Sequence, residues 1–301
     1  MAQSLKFYLA ALAAFATVAI FSSSKETLFT SNGDTVYFNV PHVDSDGDYW
    51  FAGERVPVEN FDVRERLERE LIINSYRHSS TILNLKNSAR YFPDMEKILK
   101  EYGIPDDFKY AAVAESDFRN YSTSSAGAKG IWQFMEDTAA DYGLEVRDEV
   151  DERLNVEKAT RAACQYLKRY KEQFGTWTLT AAAYNMGAGG LRKEMDNQKT
   201  NYYYDLNLNE ETNRYLFRII ALKEVMENPE KFGFEMGREE MYNPLDQYAT
   251  VTVDTSISNL GDFARQFGIS YRMLKLYNPW LRDWKLPNPK HKVYDIKIPK
   301  R

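Results

Sequence analysis

A glutamate that follows a run of small apolar residues is the strongest candidate for acid–base chemistry in this chain. Glu115 comes directly after Ala111-Ala112-Val113-Ala114, in a segment predicted to end a helix. Burial among apolar groups disfavours the charged form of a carboxyl, so its pKa rises and it stays protonated near neutral pH. A general acid needs that property. A lone glutamate beside alanines is more often a solvated residue at a helix end, so Glu115 requires partners.

Three later segments supply polar and aromatic side chains that could act with it. The first is a small-residue loop, TSSAGAKGIWQ, which ends at Gln133 and is predicted to lead into a helix with Gln133 in its first turn. Its glycines would let the backbone approach a ligand closely. The second is AYNMGAGG, with Tyr184 and Asn185 at a predicted helix end, and the third is ETNRYL, with Tyr215. Each segment alone is weak evidence for a site. Tyr215, for example, also has the spacing of a core residue on its helix.

A predominantly helical middle region must position these residues. Apolar residues recur at four-residue spacing after Asn60, and Asn155 is a suitable cap for a helix that Gly175 would end. Pro93 with Asp94 is predicted to open a helix that Gly103 closes, since proline and acidic residues favour a first turn. Further helices are predicted to begin at Pro105-Asp106-Asp107 and to cover Thr178 to Met186 and Asn209 to Glu227.

The C-terminal segment differs in charge and in pattern. From Asp246 onward, ten Lys and Arg stand against five Asp, in a chain whose net charge is -5. The pattern predicts a strand (Tyr248 to Val253), two short helices (Ser258 to Phe267 and Ser270 to Tyr277) and a closing strand (Val293 to Ile298). The fold is therefore predicted to be mainly α, with a small βααβ module at the C-terminus.

The N-terminus has the pattern of an export segment. Lys6 precedes a 15-residue apolar run, Phe7 to Phe21, and three serines follow it. The run is shorter than the roughly 20 residues that span a bilayer, which favours a cleaved signal over a retained anchor. A buried N-terminal helix is the third alternative. Residues 25–59 are β-like and predict an extended lead-in or hairpin.

Composition excludes several other classes of protein and site. The modest net charge gives no indication of a nucleic-acid partner, and the 14% aromatic content suits sugar stacking as well as a core. The single cysteine, Cys164, excludes an intrachain disulfide and is expected to be a small buried group. The three histidines lack ligand or triad spacing, so neither a metal nor a cofactor is predicted.

In order, the four motifs resemble the lysozyme-like lytic transglycosylases of the soluble-lytic-transglycosylase (SLT) family. That family shows Glu-Ser, S-x-G-A-x-G-hydrophobic-aromatic-Gln, A-Y-N-x-G and E-T-x-x-Y, and Gly103 to Asp107 is similar to its membrane-bound members. The resemblance covers about Val56 to Glu227 and implies a lysozyme-like helical domain. It also implies the role of each site residue. Glu115 is catalytic, Ser116 and Tyr215 support its carboxyl, and Gln133, Tyr184 and Asn185 contact the substrate.

No obvious second carboxylate accompanies Glu115, although ordinary glycosidases use two. Asp117 lies about 200° further round a helix and is expected to face away. The resemblance implies that one acid suffices on peptidoglycan glycan strands. The Glu115 carboxyl protonates the bond between N-acetylmuramic acid and N-acetylglucosamine, then accepts a proton from the O6 hydroxyl. The product is a 1,6-anhydro end. The alternatives are a hydrolytic muramidase and a catalytically inactive glycan-binding protein.

The C-terminal module resembles a divergent LysM module. Asp254-Thr255, Asn278-Pro279 and the closing Ile296 to Pro299 carry the likeness, whereas Val253 stands where glycine is usual. Glycan binding and a packing or docking role are both open for it.

Five segments are predicted along the chain, in a protein exported to the cell envelope (periplasm) and associated with a membrane if the first segment is retained. They are 1–24, signal or anchor; 25–59, lead-in; 60–235, transglycosylase domain with its motif core at 95–227; 236–246, linker; and 247–301, LysM-like module.

Overall fold

The computed structural model describes residues 27–31, 34–37, 41–44 and 46–300. The chain forms two compact units that divide after Pro41. In the first unit, β1 (Thr27–Ser31) and β2 (Asp34–Tyr37) pair antiparallel. The predicted export segment, residues 1–24, lies outside the described residues. No helix in the described ranges is both long enough and apolar enough to cross a membrane.

The second unit begins with a short hairpin and continues as a helical bundle. The hairpin pairs β3 (Trp50–Phe51) with β4 (Glu54–Arg55). The helices of the bundle are α1 (Phe61–Tyr76), α2 (His78–Tyr102), α3 (Lys109–Ser116), α4 (Glu136–Asp141), α5 (Val156–Phe174), α6 (Trp177–Met186), α7 (Ala188–Gln198) and α8 (Glu210–Glu227). One apolar core joins these helices, and α8 packs along α1 and against α3 and α6. The predominantly helical prediction is confirmed.

Local capping explains most of the helix ends. The Asn155 side chain accepts a hydrogen bond from the Lys158 amide (3.2 Å) at the start of α5, and Asn209 accepts one from the Thr212 amide (3.0 Å) at the start of α8. Gly175 ends α5 with a left-handed φ of 81°. Such a conformation places no steric demand on glycine.

The prediction that Pro93 opens a helix is wrong. Helix α2 runs through it, from His78 to the left-handed cap at Gly103. An internal proline removes one backbone hydrogen bond. Packing of Leu85, Ile98 and Leu99 into the common core favours a continuous helix over that loss.

The C-terminal module has the predicted βααβ order. Strand β5 (Tyr248–Val253) pairs antiparallel with β6 (Tyr294–Pro299), and α9 (Leu260–Gln266) and α10 (Tyr271–Tyr277) lie between them in sequence. Its small core also includes Val150 and Leu154 of the helical bundle. The Asp151 amide donates to the Trp280 carbonyl (2.9 Å), so the module is packed on the bundle.

Candidate functional site

Glu115 occupies the last turn of α3, where the sequence places it. The apolar residues before it, Ala111 to Val113, are buried in the bundle core, whereas Glu115 itself is partly exposed. The helix ends because Asp117 adopts a left-handed conformation (φ 49°, ψ 39°). The carboxyl therefore projects from a rigid helix end into a cleft.

A tyrosine one hundred residues further along the chain holds this carboxyl. The Tyr215 hydroxyl, from the buried face of α8, donates to Glu115 Oε1 at 2.7 Å. A hydrogen bond to a carboxylate favours its charged form, whereas burial disfavours it. Burial dominates here and raises the pKa of Glu115 to about 7, with Tyr215 and the Arg218 charge opposing the rise. The carboxyl can therefore both give and take a proton near neutral pH.

This raised pKa predicts a pH-dependent cost in stability. A carboxyl whose pKa is higher in the folded state binds more protons when folded, so wild-type stability falls as pH rises from about 4.5 to about 7. Glu115→Gln removes that ionisation. We expect the variant to have a Tm a few degrees higher than wild type at pH 8, since each kcal/mol of unfolding free energy shifts the Tm by about 2–4 °C. The difference should disappear near pH 4. A Tm gap that is equal at both pH values would contradict the raised pKa.

The glycine-rich loop is held by a buried arginine. Arg153 forms a two-pronged pair with Asp151, and its Nη1 donates to the carbonyls of Gly127 and Phe134 (both 3.2 Å). Gly130 lies so close that a Cβ there would sit 2.0 Å from the Arg153 carbonyl oxygen. This position requires glycine for space as well as for its φ of 82°.

Gly127 provides a matched control for that requirement. It also has a positive φ, 90°, but a Cβ there would meet nothing within 4 Å. We expect Gly127→Ala to cost about 1 kcal/mol from backbone strain, and Gly130→Ala to cost at least about 3 kcal/mol from strain plus the clash. Urea unfolding of both variants measures the difference. Equal losses of unfolding free energy in the two variants would show that the loop can shift away from Arg153 at little cost.

Gln133 reaches the cleft from a turn. The predicted helical first turn is wrong, because Gln133 has a φ of 48° and α4 begins at Glu136. The left-handed turn is tied by the Gln133 side chain, whose Nε2 donates to the Gly130 carbonyl at 2.8 Å. Trp132 beside it is fully buried and its indole nitrogen donates to Thr160 Oγ1 (2.9 Å), so this side chain belongs to the core.

Tyr184 and Asn185 lie at the end of α6 and are tied to two neighbouring segments. The Tyr184 hydroxyl donates to the Trp132 carbonyl (2.7 Å), and Asn185 Oδ1 accepts from the Thr212 hydroxyl (2.7 Å). Both side chains line the same cavity as Glu115 and Gln133. The structure therefore brings together residues that are separated by up to 70 positions.

Ser116 is next to the carboxyl but bonds elsewhere. Its buried hydroxyl donates to the Ala112 carbonyl at 3.2 Å, within its own helix. The contact fixes the last turn of α3, from which Glu115 projects. Ser116 therefore does not contact the Glu115 carboxyl through its hydroxyl, and it supports the carboxyl only by fixing the backbone of this turn.

Two cavities meet at Glu115. One, of about 380 Å³, is lined by Gln133, Tyr184 and Asn185, and Glu115 is the only acid among the described residues of its wall. The other, of about 230 Å³, is strongly charged and contains Glu70 and Asp117 among several arginines. A chain-like substrate could pass from one to the other across Glu115.

The prediction that Asp117 faces away from Glu115 is wrong. Helical angles no longer apply after Ser116, and the left-handed turn brings Asp117 into the charged cavity. There it accepts from Arg77 Nη2 (3.0 Å) and from Asn84 Nδ2 (3.1 Å). Because its carboxylate oxygens are already bonded to an arginine and an amide, Asp117 is a poor candidate for a second catalytic acid.

Sequence reasoning did not identify the arginines on α8. Arg218 forms two hydrogen bonds with Glu211 (2.9 and 3.2 Å), and Arg214 donates to Glu70 Oε1 (2.7 Å), an acid only 1% exposed. Arg218 follows Tyr215 by three residues, so both lie on one face of α8. That spacing was the available signal.

Comparison with known proteins gives two family matches. The transglycosylase SLT domain matches residues 95–207, and the soluble lytic transglycosylase C-terminal LysM-like domain matches residues 249–301. Membrane-bound lytic murein transglycosylase D of Escherichia coli K12 is 29% identical over 242 residues, which cover 77% of this chain and 52% of that protein. The chain thus spans about half the length of the curated relatives it matches.

Two solved structures also show similarity. They are the 70 kDa soluble lytic transglycosylase of Escherichia coli (22% identity, TM-score 0.39, 48% of this chain and 26% of that one) and an inactive mutant of lytic transglycosylase Slt from Pseudomonas aeruginosa (20% identity, TM-score 0.39, 50% and 26%). On the family matches, this chain contains a transglycosylase SLT domain followed by an SLT-type C-terminal LysM-like domain.

Proposed function

We propose that this protein is a lytic transglycosylase that cleaves the β-1,4 bond between N-acetylmuramic acid and N-acetylglucosamine in peptidoglycan. The observation that carries the proposal is the isolation of Glu115. Its carboxyl has a pKa near 7, is held by Tyr215, and lies where two cavities meet. The neighbouring acids, Glu70 and Asp117, are both paired with arginines.

One carboxyl can perform both proton transfers if the substrate supplies the nucleophile. In the first step the protonated Glu115 gives its proton to the glycosidic oxygen as the bond to C1 breaks. The acetamido group of the muramic acid stabilises the developing positive charge at C1. In the second step the O6 hydroxyl of the same sugar attacks C1 and its proton returns to Glu115. The products are a free 4-hydroxyl and a 1,6-anhydro end, and no water is consumed.

A hydrolytic muramidase is the second candidate function. It would use the same Glu115 but would need a water held on the opposite face of the sugar by a base. The geometry of the cleft disfavours it, because the two neighbouring acids, Glu70 and Asp117, are already bonded to arginines.

Product analysis distinguishes these functions. Purified sacculi are digested with wild-type protein, and the released fragments are examined by mass spectrometry. We expect 1,6-anhydro ends, which are 18 mass units lighter than the corresponding reducing ends because no water is added. Reducing ends would show a muramidase, and the absence of any released fragment would show a non-catalytic glycan-binding protein.

The same proposal places the protein in the cell envelope, where its substrate lies. The apolar segment Phe7 to Phe21 would direct export, as a cleaved signal or a retained membrane anchor. Fractionation of cells, followed by N-terminal sequencing of the mature protein, tests both points. A mature chain that starts near residue 25 identifies a cleaved signal.

A further inference from the structure

A short buried stretch, residues 150–154, lies between the LysM-like module and the helical bundle, and we call it the bridging segment. All five of its residues are between 0 and 3% exposed. The side chains of Val150 and Leu154 belong to the core of the module, whereas those of Asp151 and Arg153 contact the glycine-rich loop of the cleft. The bridging segment therefore touches both parts of the protein.

The module holds the bridging segment through its backbone as well as through its core. Val150 lies opposite Leu281 of the module in an antiparallel β-bridge. Beside that bridge the Asp151 amide donates to the Trp280 carbonyl at 2.9 Å. Because burial of apolar groups is the main favourable contribution to packing, the position of Val150 depends on the module that covers it.

The polar side of the bridging segment holds the loop. The Asp151 carboxylate and the Arg153 guanidinium form two hydrogen bonds, both of 2.8 Å, in a buried site. A guanidinium fixed in this two-pronged way presents its remaining N–H groups in a defined direction, here to the carbonyls of Gly127 and Phe134. The loop between those carbonyls matters for the cleft, because residues 124–135 contribute Gln133 and five other residues to the cavity wall beside Glu115.

The bundle has its own ties to the bridging segment, and the module supports those as well. The Glu152 amide donates to the Glu145 carbonyl (2.8 Å), and the Glu145 amide donates to Glu152 Oε2 (2.8 Å). The Glu145 carboxylate in turn accepts from Lys292 Nζ (2.5 Å) and from the Tyr294 hydroxyl (2.9 Å), which both belong to the module. The contacts that fix the bridging segment thus lead back to the module on both routes.

We propose that the LysM-like module positions the glycine-rich loop of the cleft by fixing the bridging segment, with Asp151 and Arg153 as the positioning residues. Buried contacts run without a gap from Leu281 through Val150 and the Asp151–Arg153 pair to the loop carbonyls. Energetic coupling between separated parts of a protein is carried by packed and hydrogen-bonded contacts of this kind. The effect on glycan cleavage rests on the proposed function, whereas the hold on the loop does not. This role requires no contact between the module and the substrate.

Hydrogen exchange of the full chain, measured by mass spectrometry, tests the coupling. Leu281→Ala removes a fully buried side chain at the bridge to Val150. The matched control is Leu260→Ala, which removes the same fully buried side chain from the same core, at a residue whose amide bonds within the module to the Trp284 carbonyl (2.7 Å). Leu281→Val and Leu260→Val form a milder pair for use if an alanine variant does not fold.

We expect the amides of residues 123–134 to exchange about tenfold faster in the Leu281 variant than in wild type, because a loop that is held less firmly opens more often. In the Leu260 variant their exchange should stay within about twofold of wild type. Equal protection of the loop in all three proteins would overturn the proposal. Equal acceleration in both variants would also overturn it, since the loop would then respond to overall stability and not to the bridging segment.

Arg153→Lys tests the second half of the path without altering the module. Lysine keeps a positive charge beside Asp151, but its single nitrogen cannot reproduce the planar fork that reaches a carboxylate and two carbonyls together. We expect faster exchange of residues 123–134, with β5 and β6 protected as in wild type. Unchanged protection of the loop would show that Arg153 does not position it.

The release of fragments from sacculi measures the effect on cleavage. At a temperature well below the Tm of both variants, Leu281→Ala should release fragments about tenfold more slowly than Leu260→Ala, because a displaced cleft wall misplaces the substrate. The pH at which activity falls, near 7, should not change, since the Glu115–Tyr215 pair lies outside the path. Equal rates in the two variants would overturn the role in cleavage. If wild type releases no fragment the proposed function fails, and the exchange measurement still decides whether the module holds the loop.

Discussion

Replacing Glu115 with glutamine should reduce the rate of glycan cleavage by between about 10² and 10⁴-fold, the range that one acid–base group contributes. Glutamine has nearly the same shape and can still accept the Tyr215 hydrogen bond, but it can neither give nor take the proton. The proposed mechanism uses Glu115 in both steps. No other described residue of that cavity wall is an acid, so none can replace it. The measurement is the release of soluble fragments from sacculi at pH near 7.

Glu136→Gln is the matched control for this loss. Glu136 is an exposed acid in the first turn of α4, outside both cavities of the cleft. Its replacement should leave the rate within about twofold, since surface substitutions have small effects. Retention of most activity by Glu115→Gln, with correct folding shown by its Tm, would remove Glu115 from its catalytic role.

Tyr215→Phe should lower the rate about tenfold or more and should also change its pH dependence. The hydroxyl donates to Glu115 Oε1 and opposes the burial that raises the carboxyl's pKa. A hydrogen bond to a charged group contributes about 1.5–3 kcal/mol. Without it the pKa of Glu115 rises further, so the carboxyl stays protonated to higher pH. The descending limb of the pH–rate profile, near pH 7 in wild type, should therefore move upward.

Tyr110→Phe controls for the loss of a buried tyrosine hydroxyl. Tyr110 is also buried and also donates to a glutamate, Glu227 (3.1 Å), but this pair does not line the cleft. We expect its variant to lose stability without a shift in the descending limb. An identical limb in Tyr215→Phe and wild type would mean that Tyr215 only packs, and that burial alone determines the pKa of Glu115.

Several features of the site could be predicted because they depend on neighbours in sequence. The asparagine caps at the starts of α5 and α8 and the glycine at the end of α5 act within one helical turn. The alanines before Glu115 predicted a desolvated carboxyl with a raised pKa, and desolvation does raise the pKa of Glu115, although its side chain remains partly exposed. The βααβ order of the C-terminal module followed from its apolar pattern.

Other features depended on contacts between distant segments. Pro93 stays inside α2 because the bundle core holds the helix on both sides of it. Gln133 adopts a left-handed turn. Asp117 turns toward the cleft, where Arg77 and Asn84 donate hydrogen bonds to its carboxylate. Backbone propensities near each residue are small compared with packing energies, so local patterns could not decide these conformations.

By itself the sequence determined the helical class and predicted Glu115 as the acid with polar and aromatic partners, since these depend on residue type and on short-range periodicity. Only the tertiary structure decided which partner touches the acid. Tyr215 lies one hundred residues from Glu115, and its hydrogen bond exists because α8 packs against α3. The tertiary structure also decided that the LysM-like module closes a cavity beside the end of α3, because that space forms only when Trp280 and Phe118 are brought to the same junction.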